Sequence, residues 1–217
     1  MIEGLNKIID VIDLDDGMSD SALKSRLHTL ERSRPRSYIT HPLYLEAAKR
    51  YLTGTNIKLG ILLDHPYGRF DVYDKLALIK RAYDEGAKEI YTVLAPALYQ
   101  DRDYARAEEE FNLLSSFAKR HDIQIYPMIR PRSFSKDALS KIARSIRRYG
   151  LDTLVLFDDE RIDEDDIITL RIILNKDIRV AIILDKLDKE TILYYARHGL
   201  RRFIVKDVDS FIGALYE

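Results

Sequence analysis

Eight times along the chain a short apolar run is followed by a stretch with helical spacing, and that alternation leaves few folds open. The strand candidates are Ile8–Leu14, Ser37–Thr40, Lys58–Leu63, Glu89–Leu94, Ile123–Ile129, Thr153–Phe157, Arg179–Leu184 and Arg202–Val205. Continuous runs such as Ile182-Ile183-Leu184 suit strands buried on both faces, as in a parallel sheet. Between them, Leu76, Leu78, Ile79, Ala82 and Tyr83 form one stripe of a helix over Asp74–Glu85. Ser135 is placed to cap another that continues through Leu139, Ile142 and Ile146. Gly86, Gly150 and Gly199 each end a helical stretch before a strand, where a left-handed residue is favoured. The spacing therefore predicts a single-domain (β/α)8 TIM barrel over residues 1–217, near the lower size limit for that fold. An open doubly wound sheet is the alternative, but no Gly-x-Gly-x-x-Gly fingerprint follows the first strand.

Composition narrows the function classes. With 35 basic and 36 acidic residues the net charge is −1, so no global field points to nucleic acid or an anionic membrane. The basic run Arg144-Ser145-Ile146-Arg147-Arg148 reads as the solvated face of a helix. The absence of cysteine excludes disulfides, thiolate metal sites and thiol catalysis. No apolar run has the length of a spanning helix, and residues 1–9 lack a signal-peptide pattern. A soluble cytoplasmic protein is expected. Charged residues at 33%, three Met and 14 Tyr suit a thermophile.

Residues 56–95 read as a buried strand, a His65-Pro66-Tyr67-Gly68 turn, an amphipathic helix, and Gly86-Ala87-Lys88-Glu89-Ile90-Tyr91 opening the next strand. This unit resembles the deoxyribose-phosphate aldolases, whose corresponding turn is Phe-Pro-x-Gly and whose next strand opens Gly-Ala-x-Glu-Ile-Asp. Ile9-Asp10-Val11-Ile12-Asp13-Leu14 is similar to the first strand of that family, and Tyr38-Ile39-Thr40-His41-Pro42-Leu43-Tyr44 to its second strand end. The resemblance is strongest from Ser37 to Lys119.

That family works through a Schiff-base lysine on strand six, a second lysine on strand seven and an aspartate on strand four. The resemblance places these roles at Val155, Ala181 and Tyr91, so all three are vacant. The Gly-rich phosphate cradles after strands seven and eight fall at Ile183-Leu184-Asp185 and Ile204-Val205-Lys206, where side chains block the backbone approach that glycine permits. The resemblance thus implies an inherited fold without the inherited reaction.

In such a barrel the carboxyl ends of the strands carry function. Those ends hold Asp13, Asp15, Asp16, His41, Asp64, His65, Arg69, Tyr99, Arg130, Arg132, Asp158, Asp159, Glu160, Asp185, Lys186, Lys206 and Asp207. The ligand-binding candidates are Asp64, His65, Arg130, Asp158, Asp185, Lys186 and Lys206. One reading is a relocated centre: a cation held by Asp64, His65, Asp158 and Asp185, or an amine at Lys186 or Lys206. The other is a polar rim of paired or solvated groups. No metal-ligand spacing stands out, so neither metal nor cofactor is expected.

His65 replaces the family's turn Phe and reads first as a packing aromatic. Arg130-Pro131-Arg132 is able to clamp a carboxylate or phosphate, or to pair with Asp158 or Asp159. Tyr91 and Tyr99 are expected to fill the barrel mouth, together with Leu156, Phe157, Leu184 and Ile204. The preferred function is a small-molecule-binding or non-catalytic barrel whose partner is a small, possible phosphorylated or carboxylated, metabolite, with a homodimer as the assembly. The alternative is a lyase with a relocated site built on Lys186, Lys206, Asp64 and Arg130.

Overall fold

The computed structural model describes residues 5–15, 17–158, 162, 164–175, 177–206 and 208–216. Its strands are β1 (Ile9–Ile12), β2 (Ser37–Thr40), β3 (Lys58–Leu63), β4 (Glu89–Val93), β5 (Gln124–Ile129), β6 (Thr153–Leu156), β7 (Arg179–Leu184) and β8 (Arg202–Val205). They pair in parallel in chain order, and β8 closes on β1. The helices packed outside are α1 (Asp20–Ser33), α2 (Leu45–Leu52), α3 (Val72–Glu85), α4 (Pro96–Gln100), α5 (Tyr104–His121), α6 (Lys136–Tyr149), α7 (Glu164–Leu174), α8 (Lys189–Arg197) and α9 (Val208–Tyr216). The expected (β/α)8 barrel is the fold observed.

Local chemistry sets the element boundaries. Ser135 caps α6 by accepting from the Ala138 amide. α3 starts two residues before the stripe suggested, because the Asp71 carboxylate accepts from the amides of Tyr73 and Asp74. Gly86, Gly150 and Gly199 have φ of 108°, 72° and 85°, as their positions required. β1 is shorter than expected: its last strand bond is the Asp13 amide to the Ile39 carbonyl at 2.8 Å, and the Asp13 side chain turns to the Arg26 guanidinium at 2.5 Å.

Side chains alternate across the wall, so two separate cores form. Ile12, Ile39, Leu62, Tyr91, Val93, Tyr126, Met128, Val155, Phe157, Ala181, Ile183 and Ile204 fill the barrel interior. Val155 and Ala181 are directly paired on β6 and β7 and both point inward, which fits the register inferred from the resemblance. The outer core, between strands and helices, holds Leu156 and Leu184. Those two were expected inside the mouth. They face outward because each stands next in sequence to an inward residue, and a one-residue step crosses the wall.

The same alternation sends Asp10, Ser37, Glu89 and Arg202 inward, two residues before Ile12, Ile39, Tyr91 and Ile204. They meet at the amino end of the barrel. Arg36 grips Glu89 with two bonds of 2.6 and 2.7 Å and reaches Asp10 at 2.6 Å. Arg202 donates to Asp10 at 2.6 Å and approaches Glu89 at 3.6 Å. The Tyr91 hydroxyl donates to Glu89 at 2.9 Å and accepts from Arg36, while Arg202 also contacts it. The Arg202 guanidinium lies 4.2 Å from the centroid of the Tyr126 ring. Burial works to raise the Glu89 carboxyl, but the hydrogen bonds and charge of Arg36 outweigh it and hold the group below the usual carboxylate range.

Candidate functional site

At the opposite, carboxyl end the polar groups split into separate clusters. The turn after β3 is wound around one carboxylate. Asp64, at φ 60°, accepts from the amides of Arg69 at 2.7 Å and Phe70 at 2.9 Å. Its carbonyl accepts from the Gly68 amide at 2.9 Å. Gly68 has φ 65°, and a Cβ there would stand 2.6 Å from the Leu94 carbonyl oxygen, so the turn tolerates no side chain at that point.

Beneath this turn lies Lys75, wholly buried on α3. Its ammonium donates to the Val93 carbonyl and to Glu110, both at 2.6 Å, and stands 3.4 Å from Asp64. Burial raises the Glu110 carboxyl despite the opposing charge of Lys75. The lysine therefore ties α3, β4, α5 and the β3 turn together. Neither Lys75 nor Glu110 stood out in the sequence, because both sit inside helical stretches where charged residues are ordinarily solvated. The signal available was the position of Lys75 on the stripe that includes Ile79 and Ala82, one turn above Ile79.

His65 and Pro66 are joined by a cis peptide bond. The His65 ring packs on Phe157 with centroids 5.1 Å apart, in keeping with its reading as a packing aromatic. The Arg130 guanidinium lies on the same Phe157, 5.5 Å from its centroid. Phe157 thus closes the axis between His65 and Arg130. Arg132 lies 3.9 Å from Asp158 and 3.7 Å from Asp166. Lys206 pairs with Asp185 at 2.8 Å, out in solvent, and Lys186 is exposed.

The seven candidates are therefore not one site. Asp64 and His65 share a cavity, Arg130 and Asp158 belong to the Phe157 region, and Asp185 and Lys186, both exposed, lie with half-buried Lys206 on the β7–β8 side. Among the described residues no three imidazole or carboxylate groups converge as a metal would need. Asp16, Asp159, Glu160 and Asp207 lie outside the described residues.

The two tyrosines also depart from expectation. Tyr91 is inside the barrel, but its hydroxyl points down into the amino-end ion network, drawn by Glu89 two residues earlier on the same face. Tyr99 is outside the barrel on α4, packed against Phe134 and Tyr104 at 5.3 and 6.3 Å. It follows Pro96, which starts a helix and carries the chain away from the mouth.

A cavity of about 450 Å³ remains at the rim, walled by Leu14, His41, Leu62, Asp64, His65, Tyr67, Arg69 and Phe70. It lies over the ends of β1–β3, and Val155 does not border it. Arg69 makes no ion pair among the described residues; its guanidinium lies 4.2 Å from the centroid of the Tyr67 ring. With the Asp64 charge already engaged by two amides and Lys75, Arg69 is the group at this cavity open to an anion.

No family model matches this chain, and no curated protein sequence matches it. Solved structures do. An aldolase designated QR15 superposes with a TM-score of 0.85 at 16% identity, covering 100% of this chain and 97% of that one. The tetrameric deoxyribose phosphate aldolase from Aeropyrum pernix gives 0.84 at 15% identity, over 98% and 91%. A Coccidioides immitis protein assigned as a deoxyribose-phosphate aldolase gives 0.82 at 17% identity, over 93% and 82%. The fold resembles that of the deoxyribose-phosphate aldolases.

Proposed function

We propose that this chain is an aldolase-like barrel without Schiff-base lysine chemistry, which binds a small anionic metabolite at the rim of β1–β3. The observation that carries this reading is Arg69: a guanidinium without an ion-pair partner among the described residues, bordering a cavity whose single carboxylate is satisfied from within. A carboxylate or phosphate is the natural complement of such a group. The vacant family positions support the loss of amine catalysis. An iminium needs an amine, and Val155 and Ala181 offer none on the barrel axis.

Two measurements test the reading. Titration with small carboxylates and sugar phosphates is expected to give saturable binding that weakens about tenfold or more in Arg69→Gln, the size of one lost charge-assisted contact. Incubation with deoxyribose 5-phosphate or acetaldehyde plus borohydride is expected to leave the mass of the chain unchanged and release no aldol product. Stoichiometric trapping on Lys186 or Lys206 would overturn the reading in favour of a relocated lyase site.

The absence of cysteine supports a reducing, cytoplasmic setting, and no helix among the described residues is long and apolar enough to cross a membrane. The charged, Tyr-rich composition suits a thermophile. Association into a homo-oligomer, with a dimer as the unit, is tested by light scattering.

A further inference from the structure

The turn that walls the rim cavity has a second side. Tyr67, Arg69 and Phe70 also border a groove of about 610 Å³ outside the barrel, closed by the start of α3, the entry to α4 and one face of α5. Three aromatic rings stand along it with unusual exposure: Tyr67 at 57%, Phe70 at 45% and Tyr73 at 63%. Large exposed aromatics grouped at one groove mark a contact surface more often than chance placement does. From α5, Arg106, Glu109 and Glu110 point to the groove, as i, i+3 and i+4 positions on one helix face do.

These groups are partly engaged, and what they leave over defines the ligand. The Tyr73 hydroxyl crosses the groove to donate to Glu109 at 2.7 Å, which braces the ring. Glu110 is held from below by Lys75 through one oxygen. Each carboxylate keeps further acceptor capacity. On the cationic side, among the described residues Arg69 meets the Tyr67 ring and makes no ion pair, and Arg106 pairs with Asp103 at 3.9 Å. A purely cationic ligand would meet two guanidinium groups here, and a purely anionic one would meet two carboxylates.

We propose that this groove is a second small-molecule site, for an amphoteric aromatic ligand: a flat ring carrying one anionic group and at least one N–H donor. The ring lies against Tyr67, Phe70 and Tyr73. The anion meets Arg69 and Arg106, and the N–H group meets Glu109. The volume falls in the range of small-molecule sites, roughly 300–1,000 Å³. Two sources share this chemistry, a nucleoside monophosphate and an aromatic amino acid. The groove shares Tyr67, Arg69 and Phe70 with the rim cavity but is tested apart from it: Tyr73, Arg106 and Glu109 border only the groove, whereas Leu14 and His41 border only the rim cavity.

The experiment titrates the full chain with AMP, with tryptophan, and with inorganic phosphate, by calorimetry and NMR. AMP or tryptophan is expected to bind with a Kd below about 1 mM, and the one that binds names the source. Tyr73→Ala, Arg106→Gln and Glu109→Gln, all at exposed positions that leave the fold intact, are each expected to weaken it about fivefold or more. His41→Ala is expected to leave it unchanged. No saturation by either aromatic probe at 10 mM overturns the proposal. So does phosphate binding as tightly as AMP, or binding lost in His41→Ala but kept in the groove variants.

Discussion

The two ends of the barrel use their charged residues in opposite ways. At the amino end Asp10, Glu89, Arg36 and Arg202 form a closed set, with both carboxylates wholly buried and every charge answered within a few ångströms. At the carboxyl end the charges scatter. Lys206 and Asp185 pair in solvent, Lys186 stands exposed, and Arg69 faces a cavity. The first arrangement is closed on itself; the second leaves groups available to something else. In barrels of this kind the amino end serves stability and the carboxyl end function. Here the pairing of the charges tells the two roles apart.

If that contrast is right, its sharpest break comes from Glu89→Ala. The substitution leaves Arg36 and Arg202 at the bottom of the barrel with Asp10 as the one carboxylate they still share among the described residues. Breaking a buried pair in this way costs about 3–5 kcal/mol. Denaturant unfolding measures it, and a loss under about 1 kcal/mol would show that water reaches the network. Lys75→Met follows, at about 3 kcal/mol, because Glu110 and the turn carboxylate of Asp64 lose the buried cation between them. Adding Glu110→Gln is expected to recover part of that loss, since it removes the uncompensated charge. No recovery would mean that the Val93 carbonyl, not the carboxylate, is the partner that matters.

Acid titration separates the same two carboxylates by sign. Glu89 is lowered in the folded chain, so its contribution is present above the ordinary carboxylate range, about 4.3, and is lost as pH falls through the lowered value. Glu110 is raised, so the folded state holds its proton longer than the unfolded chain does. Its contribution is therefore largest below the ordinary range and declines as pH rises through the raised value. Glu89→Gln is expected to flatten the acid limb of stability against pH. Glu110→Gln is expected to remove a decline on the neutral side. Equal slopes in both variants would place the two groups in similar surroundings.

The barrel was legible because its information is periodic and repeated. The bounds of β2, β3, β7 and β8 coincide with the sequence reading, and β4, β5 and β6 differ by one end residue. Short apolar runs closed by a glycine or a charge leave little freedom there. The site was legible only in part. Asp64 and His65 sit together because both lie in one turn, a local relation that sequence shows directly. Glu89 and Arg202 lie on β4 and β8 and Arg36 just before β2, far apart in the chain, and only barrel closure joins them. Lys75 and Glu110, 35 residues apart, depend on the packing of two helices that no local rule specifies. Leu156 and Leu184 were misplaced by a single residue of register, which in a strand exchanges inside for outside.

The smallest expected effect belongs to the pair that looked most like a site on paper. Lys206 and Asp185 follow β8 and β7, where the resembling aldolases cradle phosphate, and they meet at 2.8 Å. A short distance is not a strong interaction when solvent surrounds it. The Asp185 side chain is 76% exposed and that of Lys206 35%, so water screens the attraction and both chains give up rotamer freedom to keep it. Asp185→Ala is expected to change stability by less than about 1 kcal/mol, a shift that shrinks further in salt. The same substitution is expected to leave anion binding at Arg69 unchanged, since Asp185 does not border that cavity. A clear rise in affinity for phosphate on removing Asp185 would reverse the assignment. It would show that Lys206 had been masked by its partner and is a working cation site on the β7–β8 side.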